Sequence, residues 1–483
     1  MAILASAMGF IDGSVVAVAI PQMRSALAAT FSQAQWIANS YVLLLAALIM
    51  IGGAAGDRFG MRRTFGVGVA GFTFFSLLCA LAWSANSLIG FRALQGAGAA
   101  IMIPGSMALI ALNFPQEERG RALGIWIAAS SIATSVGPLL GGVLLTYGGE
   151  QAWRWIFAIN LPIGVIVLVI LFRQVPASRK RDKGQHLDLA GAMLIAVTLG
   201  SLAAGLTYIG EAGDTATGLW LCAAGLFLLF VSIWWENRID DPMVDPALFR
   251  SPTFTGVNIL TFVVWGAFGG IVFFLPMLLI VAWELPPTYA GSIFIPFSIL
   301  IATLSPISGR LTDRYGSRLL LTVGPLVAML GHLMMAFAVA KQDFWFGVLP
   351  SIMLIGIGFG LCASPVSVAA VSAVDDDDAG AASGINNMFA RMSNLFAIAG
   401  LGAGVSLAYN LIVRGSSLPV DVQERMIEAG FGERLTGALY QVSTAELHAT
   451  AMNHAMIALC LVTAVMSLLG ALLGWFTQLK QVN

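Results

Sequence analysis

Apolar runs of about 20 residues, the length a helix needs to cross a bilayer, recur along the whole chain between short polar connections. Fourteen spans are predicted, near 3–23, 34–55, 64–83, 87–112, 121–146, 154–173, 188–209, 217–235, 254–281, 287–309, 318–340, 344–370, 380–411 and 450–476. A membrane β-barrel would show alternating segments of about ten residues, and none is visible. The basic residues test the count. With both termini cytoplasmic, the cytoplasmic connections hold Arg58, Arg62, Arg63, Arg119, Arg121, Arg173, Arg179, Lys180, Arg181, Lys183, Arg238, Arg250, Arg310, Arg314, Arg318 and Lys480, sixteen of the 24 basic residues. Six fall outside (Arg24, Arg154, Lys341, Arg414, Arg425 and Arg434), and Arg92 and Arg391 lie within spans. The positive-inside rule requires that asymmetry. The expected fold class is an all-α polytopic membrane protein.

Composition agrees: 58% of residues are hydrophobic and 10% charged, against about 25% charged in a soluble domain. Mean hydropathy is +0.87. A net charge of −1 offers no basic patch for nucleic acid. Cys79, Cys222, Cys362 and Cys460 all fall in apolar spans without ligand spacing and read as small hydrophobes. Met1 starts almost directly in an apolar run with no cleavage site before Pro21, so span 1 is expected to be retained, with a short cytoplasmic leader ahead of it.

A charged loop, Gly56-Asp57-Arg58-Phe59-Gly60-Met61-Arg62-Arg63, follows span 2. It nearly recurs after span 10 as Asp313-Arg314-Tyr315-Gly316-Ser317-Arg318, from position 57 to 313, a separation of 256 residues. Repeated halves in a membrane chain point to a transporter with its site at their interface. The spacing predicts a six-span bundle over 1–173, a linker with two extra spans over 174–252 and a second bundle over 253–483. A charged external loop is expected at about 414–449, carrying short surface helices.

Within the spans, Asp12 is the one deep carboxylate. A charge there must be paired, hydrated or protonated part of the time, which makes it a candidate proton carrier, with a structural hydrogen bond as the competing reading. Arg92 lies among small residues of span 4 and would be its partner, unless it snorkels to the interface. Gly137-Pro138-Leu139-Leu140-Gly141-Gly142 bends span 5 and permits tight packing, as a gating seal or as a plain kink. Asp57 and Asp313, with Arg58, Gly60, Arg62, Arg314, Gly316 and Arg318, suit a charged latch that holds one conformation shut. Arg391 would bind substrate or anchor at the membrane edge. Tyr41, Gln95, Trp126, Asn258, Trp265 and Asn387 are further cavity candidates. His332 and His454 read as satisfied polar groups, and Asp375–Asp378 as a solvated loop without a calcium pattern. There is no phosphate loop, zinc spacing or nucleophile elbow, and four scattered histidines argue against a membrane enzyme acting on lipids. No metal or cofactor is expected; a gradient must supply the energy.

These motifs resemble those of the major facilitator superfamily, and within it the fourteen-span drug/proton antiporters. Gly56–Arg63 is similar to its loop signature, Leu88–Ala100 to its span 4 motif, and Gly137–Gly142 to its antiporter motif. Phe10–Pro21 resembles its span 1 motif, and Trp153–Gly164 the segment entering span 6. Two departures stand out. Ala17 sits where the family often has Asn, and Ala390-Arg391 where it usually has Arg-Gln, a slip of about 100° around a helix. The resemblance implies two six-helix bundles rocking around a central cavity, proton influx driving export, Asp12 as protonation site and Arg92 as its partner. The expected protein is a monomeric bacterial plasma-membrane exporter of amphipathic or lipophilic small molecules. A dedicated exporter of a lipid or secondary metabolite is the alternative. With no acid in spans 9–14, a neutral, weakly charged or lipid-like substrate is expected over a dication.

Overall fold

A computed structural model of the chain describes residues 1–176, 188–210, 215–239, 242–375, 378–435 and 441–477, with backbone alone at 57, 111, 116, 117, 119, 120, 123, 127, 128, 131, 135 and 477. Among these residues every regular element is helical. The first bundle comprises α1 (Ala2–Leu27), α2 (Phe31–Phe59), α3 (Met61–Ala80), α4 (Ala85–Asn113), α5 (Gln116–Tyr147) and a broken sixth span, α6 (Ala152–Ala158) plus α7 (Asn160–Gln174). The inserted pair is α8 (Leu189–Gly210) and α9 (Thr215–Glu236). The second bundle comprises α10 (Pro252–Met277), the pair α11 (Pro287–Ser292) and α12 (Phe294–Tyr315), α13 (Arg318–Lys341), α14 (Leu349–Val371), the pair α15 (Ala379–Phe396) and α16 (Gly402–Arg414), and α18 (Val442–Thr477). A short surface helix, α17 (Val420–Ala429), lies in the long connection before α18.

Thirteen of these helical segments are long and apolar enough to span a bilayer, and α5, whose apolar part is Ile132–Tyr147, takes the remaining position in the order. Two expected boundaries move. The last helix begins at Val442 rather than near 450, which shortens the external connection, and the sixth span breaks at Ile159 instead of running through. The basic linker residues Arg179, Lys180, Arg181 and Lys183, the pair Asp376 and Asp377, and Lys480 lie outside the described residues.

Local chemistry sets the helix ends. Thr30 and Gln33 exchange side-chain and backbone hydrogen bonds at the start of α2, as Ser84 and Ser87 do at α4. Between α2 and α3, Gly60 adopts φ 93°, and between α12 and α13, Gly316 adopts φ 78°. Only glycine takes that conformation without strain, which explains the Gly of both repeated loops. The pairings within the halves also repeat: α2 packs on α4 as α12 packs on α14, α3 on α4 as α13 on α14, and α3 on α7 as α13 on α18. The inserted pair packs on itself through small residues, with Gly205 against Cys222 and Thr198 hydrogen-bonded to Ser232 at 3.1 Å. Through α8 it leans on α2 and α16.

Candidate functional site

Asp12 and Arg92 meet in the middle of the first bundle, 0% and 1% exposed. Arg92 Nη1 donates to Asp12 Oδ2 and, at 2.7 Å, to Gln95 Oε1, while its Nε donates to the Ile37 carbonyl at 3.2 Å. Gln95 Nε2 donates to the other carboxylate oxygen at 3.0 Å, and Asn160 Nδ2 reaches the same oxygen at 3.4 Å. Asn160 also donates to Ser76, which donates to the Phe157 carbonyl. The guanidinium carbon lies 4.3 Å from the Tyr41 ring centroid and 5.6 Å from that of Phe157. Gln95, expected on the cavity wall, belongs to this cluster. The polar partners Asn160 and Ser76 were not foreseen, because a neutral polar residue in a span carries no signal of which way it faces.

Tyr41 and Arg92 form part of the wall of a cavity of about 190 Å³ between the two bundles. Across it stand Arg391 and Asn394 of α15, with Phe268 and Phe273 of α10. Arg391 therefore lies well inside α15 and on the cavity wall. Its guanidinium lies 5.9 Å from the Phe10 ring, and Phe10 in turn meets Trp126 edge-on at 6.3 Å. No carboxylate pairs with Arg391 among the described residues. Trp126 is tied behind this wall by a 2.9 Å bond to Ser6. Trp265 packs against Phe359, their rings tilted with centroids 4.4 Å apart, and is not among the residues lining this cavity. Asn258 is buried between helices, accepting from Asn386 at 3.1 Å, and Asn387 is exposed and bonds back to Ser383. Successive helical positions face about 100° apart, so Asn386 turns inward and Asn387 away.

The cavity is closed on the face opposite the Asp-Arg loops. Gly137 and Gly141 let α5 lie against Ile11, Ser14 and Val15 of α1. Gly142 brings α5 onto the other bundle, where an added Cβ would stand 2.9 Å from Thr288 Cα. Pro138 contributes its carbonyl to the same contact, against Gly291 of α11. Thr146 and Thr288 hydroxyls seal the crossing at 2.8 Å. Beside it, Arg24 at the end of α1 donates to the carbonyls of Phe431 at 2.7 Å and Ala429 at 2.6 Å and pairs with Glu433 at 3.0 Å. Arg24 is expected just beyond the end of span 1; α1 instead continues to Leu27 and buries it to 1% exposure. Gln35 Nε2 of α2 adds a bond to the Ile398 carbonyl, which lies in the π-helical turn Ala397–Leu401 between α15 and α16.

On the loop face the repeated arginines contact aromatic rings. Arg62 donates to the Phe172 carbonyl at 2.7 Å and lies over the Phe172 ring at the end of α7. Its counterpart Arg318 lies 3.9 Å from the Trp475 centroid near the end of α18. Arg58 and Arg314 lie over Phe59 and Tyr315. Asp313 is exposed, and no ion pair joins the two loops among the described residues; the side chain of Asp57 lies outside them. His332 bonds Ser467 at 3.1 Å and His454 bonds the Thr450 carbonyl. No cluster of three potential metal ligands occurs among the described residues.

The helix order can be set against known proteins. The family model of the Major Facilitator Superfamily matches residues 2–398. Multidrug resistance protein Stp of Mycobacterium tuberculosis is 34% identical over 399 residues, covering 82% of this chain and 73% of Stp. Methylenomycin A resistance protein of Streptomyces coelicolor is 32% identical over 409 residues, covering 83% and 84%. Among solved structures, a bacterial homologue of the human lysosomal transporter Spinster, captured inward-facing and occupied, superposes with a TM-score of 0.68 over 98% of this chain and 95% of that one, at 16% identity. This chain is a multi-pass membrane transporter, not an enzyme, and it belongs to the Major Facilitator Superfamily.

Proposed function

We propose that the chain is a proton-coupled exporter of amphipathic small molecules in the bacterial plasma membrane, with its Asp-Arg loops and both termini cytoplasmic. The buried Asp12–Arg92 cluster carries this reading. A carboxylate and a guanidinium are retained in a membrane interior at considerable desolvation cost, next to a cavity shared by both bundles. The cluster also suits a group that changes protonation. If Asp12 takes up a proton, Arg92 still keeps Gln95, the Ile37 carbonyl and two aromatic faces, so neutral Asp12 leaves no stranded cation.

In the cycle, a proton from outside neutralises Asp12 and weakens its hold on α4, and the cavity opens and releases its cargo outward. Release of the proton to the cytoplasm re-forms the pair and restores the binding state. The contacts of Gly142, Thr146 and Thr288 and the Arg24 strap would form the outer gate of this cycle. The boundaries at about 173 and 253 then divide the rocking bundles, and one chain suffices. Relatives named for resistance to drugs and to methylenomycin A support efflux as the direction.

The test uses purified protein in proteoliposomes with a pH-sensitive dye and an imposed proton gradient. Substrate-evoked proton flux should disappear in Asp12→Asn while folding and substrate binding persist. Coupled flux that survives in Asp12→Asn removes Asp12 from the role.

A further inference from the structure

We infer that the central cavity holds its substrate by an acidic group, so that the cargo class is an amphipathic monoanion whose carboxylate faces Arg391. The inference rests on the exporter reading for the direction of movement, and on the cavity itself for the chemistry. Three observations converge. Arg391 projects into the space between the bundles, and no carboxylate is paired with it among the described residues. Asp12, the acid nearest the cavity, is committed to Arg92 behind the Tyr41 ring and is not part of the cavity wall. Apart from Arg92, whose charge Asp12 offsets, the remaining polar groups at the wall are neutral, Asn394 and Thr134 among them, and Gly269 leaves room for the Asn394 amide, since a Cβ there would collide with it.

An unpaired guanidinium in a low-dielectric site is costly, and an anionic ligand removes that cost. Arginine presents a planar fork that matches a carboxylate bidentately. The rest of the wall is aromatic and aliphatic, with Phe10, Phe268 and Phe273 ready to cover an apolar body. The ligand is thus an acid with a hydrophobic or aromatic remainder. A lipophilic cation would place like charge beside Arg391. At 190 Å³ the cavity lies below the roughly 300 Å³ at which pockets for drug-sized ligands begin, so the substrate enters as the loop face widens. Exchange of an anion outward for a proton inward moves positive charge inward on both legs. An inside-negative potential then drives export together with the pH gradient.

The test separates binding from transport. Naphthalene acetate, its primary amide and the matching naphthyl ethylamine are titrated calorimetrically into detergent-purified protein. The carboxylate should bind best. Arg391→Gln should lose about ten- to a hundredfold of carboxylate affinity, the value of a charge-assisted hydrogen bond, and about twofold or less for the amide. Arg391→Lys, which keeps the charge and loses the fork, should fall between. Retained amide binding reports that each variant is folded. Equal binding of acid and amide by the unaltered protein, or preference for the amine, overturns the inference. So does an Arg391→Gln variant that shifts the pH profile of proton flux without changing the order of the three ligands, because Arg391 would then act on Asp12 and not on cargo. The two readings fail separately. Arg391-dependent carboxylate binding, with uptake into inverted proteoliposomes driven by a potassium diffusion potential but never by a pH gradient, would retain the anion site and remove proton coupling. Proton flux evoked equally by all three compounds would do the reverse.

Discussion

Arg92 and Arg391 stand on opposite sides of one cavity and are held in opposite ways. Arg92 is enclosed by a carboxylate, an amide, a backbone carbonyl and two rings, and it is 1% exposed. Arg391 lies over one ring of the facing bundle, that of Phe10, and lines the cavity with no carboxylate paired to it among the described residues. A cation completed by the protein has a structural or proton-linked use, whereas one left incomplete is available to a ligand. On the proposed reading, the location of the carboxylate, not of the arginines, separates the proton-linked half from the half that meets cargo.

The largest effect that separates them concerns stability. Arg92→Ala leaves Asp12 buried without its counter-ion, a loss of about 3–5 kcal/mol, or drives Asp12 to remain protonated. Arg391→Ala removes a cation that the fold does not complete and should leave thermal stability unchanged or slightly raised. Melting of the two variants in the same detergent is the measurement. Equal destabilisation would mean that Arg391 has a protein partner and that the contrast between the two arginines is false.

A sharper test supplies Arg391 with the partner it lacks. Asn394 lies one turn further along α15 and lines the same cavity. Asn394→Asp would place a carboxylate at that spacing and turn the second arginine into a copy of the first. Affinity for acidic ligands should fall about tenfold or more, with that for neutral ones little changed, as calorimetry would measure. A variant that still prefers the acid would show that the anion is held elsewhere in the cavity.

The unequal legibility of the two arginines has a physical cause. A lone carboxylate in an apolar run must find a partner, so Asp12 and Arg92 could be matched from sequence alone. The glycines of both loops were equally legible, because a short turn between helices at Gly60 and Gly316 needs positive φ. Rotation about a helix axis was not. Asn386 and Asn387 are neighbours in sequence, yet one lies in an interhelical network with Asn258 and Thr261 while the other faces outward. Gln95 moved from cavity to charge cluster for the same reason. Arg24 is placed outside because the apolar run of span 1 stops near 23, whereas α1 continues to Leu27, its late Pro21 absorbed as a bend. What sequence carries well is the energy of isolated charges and of special backbone; what it carries poorly is which neighbour each neutral polar group faces.

Arg24 makes a third case, between the other two, and yields the smallest effect. Its strongest contacts are backbone carbonyls at 429 and 431, and its ion pair is with Glu433, which is one-quarter exposed. Burial pushes the Glu433 carboxyl above its ordinary range, and the pull of Arg24 only partly offsets this. Opening the gate would hydrate Glu433 and return it toward the ordinary carboxylate range. The closed state therefore binds a proton more readily than the open one. By linkage, the stabilisation of closure is fully present below the ordinary carboxylate value and is lost as pH rises through the raised one. Glu433→Gln should abolish this dependence and leave the gate shut, because Arg24 keeps its carbonyl bonds, whereas Arg24→Ala should open it at every pH. Distances between spin labels on Gln151 and Glu284, followed from mildly acid to neutral pH, would report the populations. A closed fraction that rises with pH would reverse the assignment and make the Arg24–Glu433 ion pair, not the strap carbonyls, the element that holds the gate.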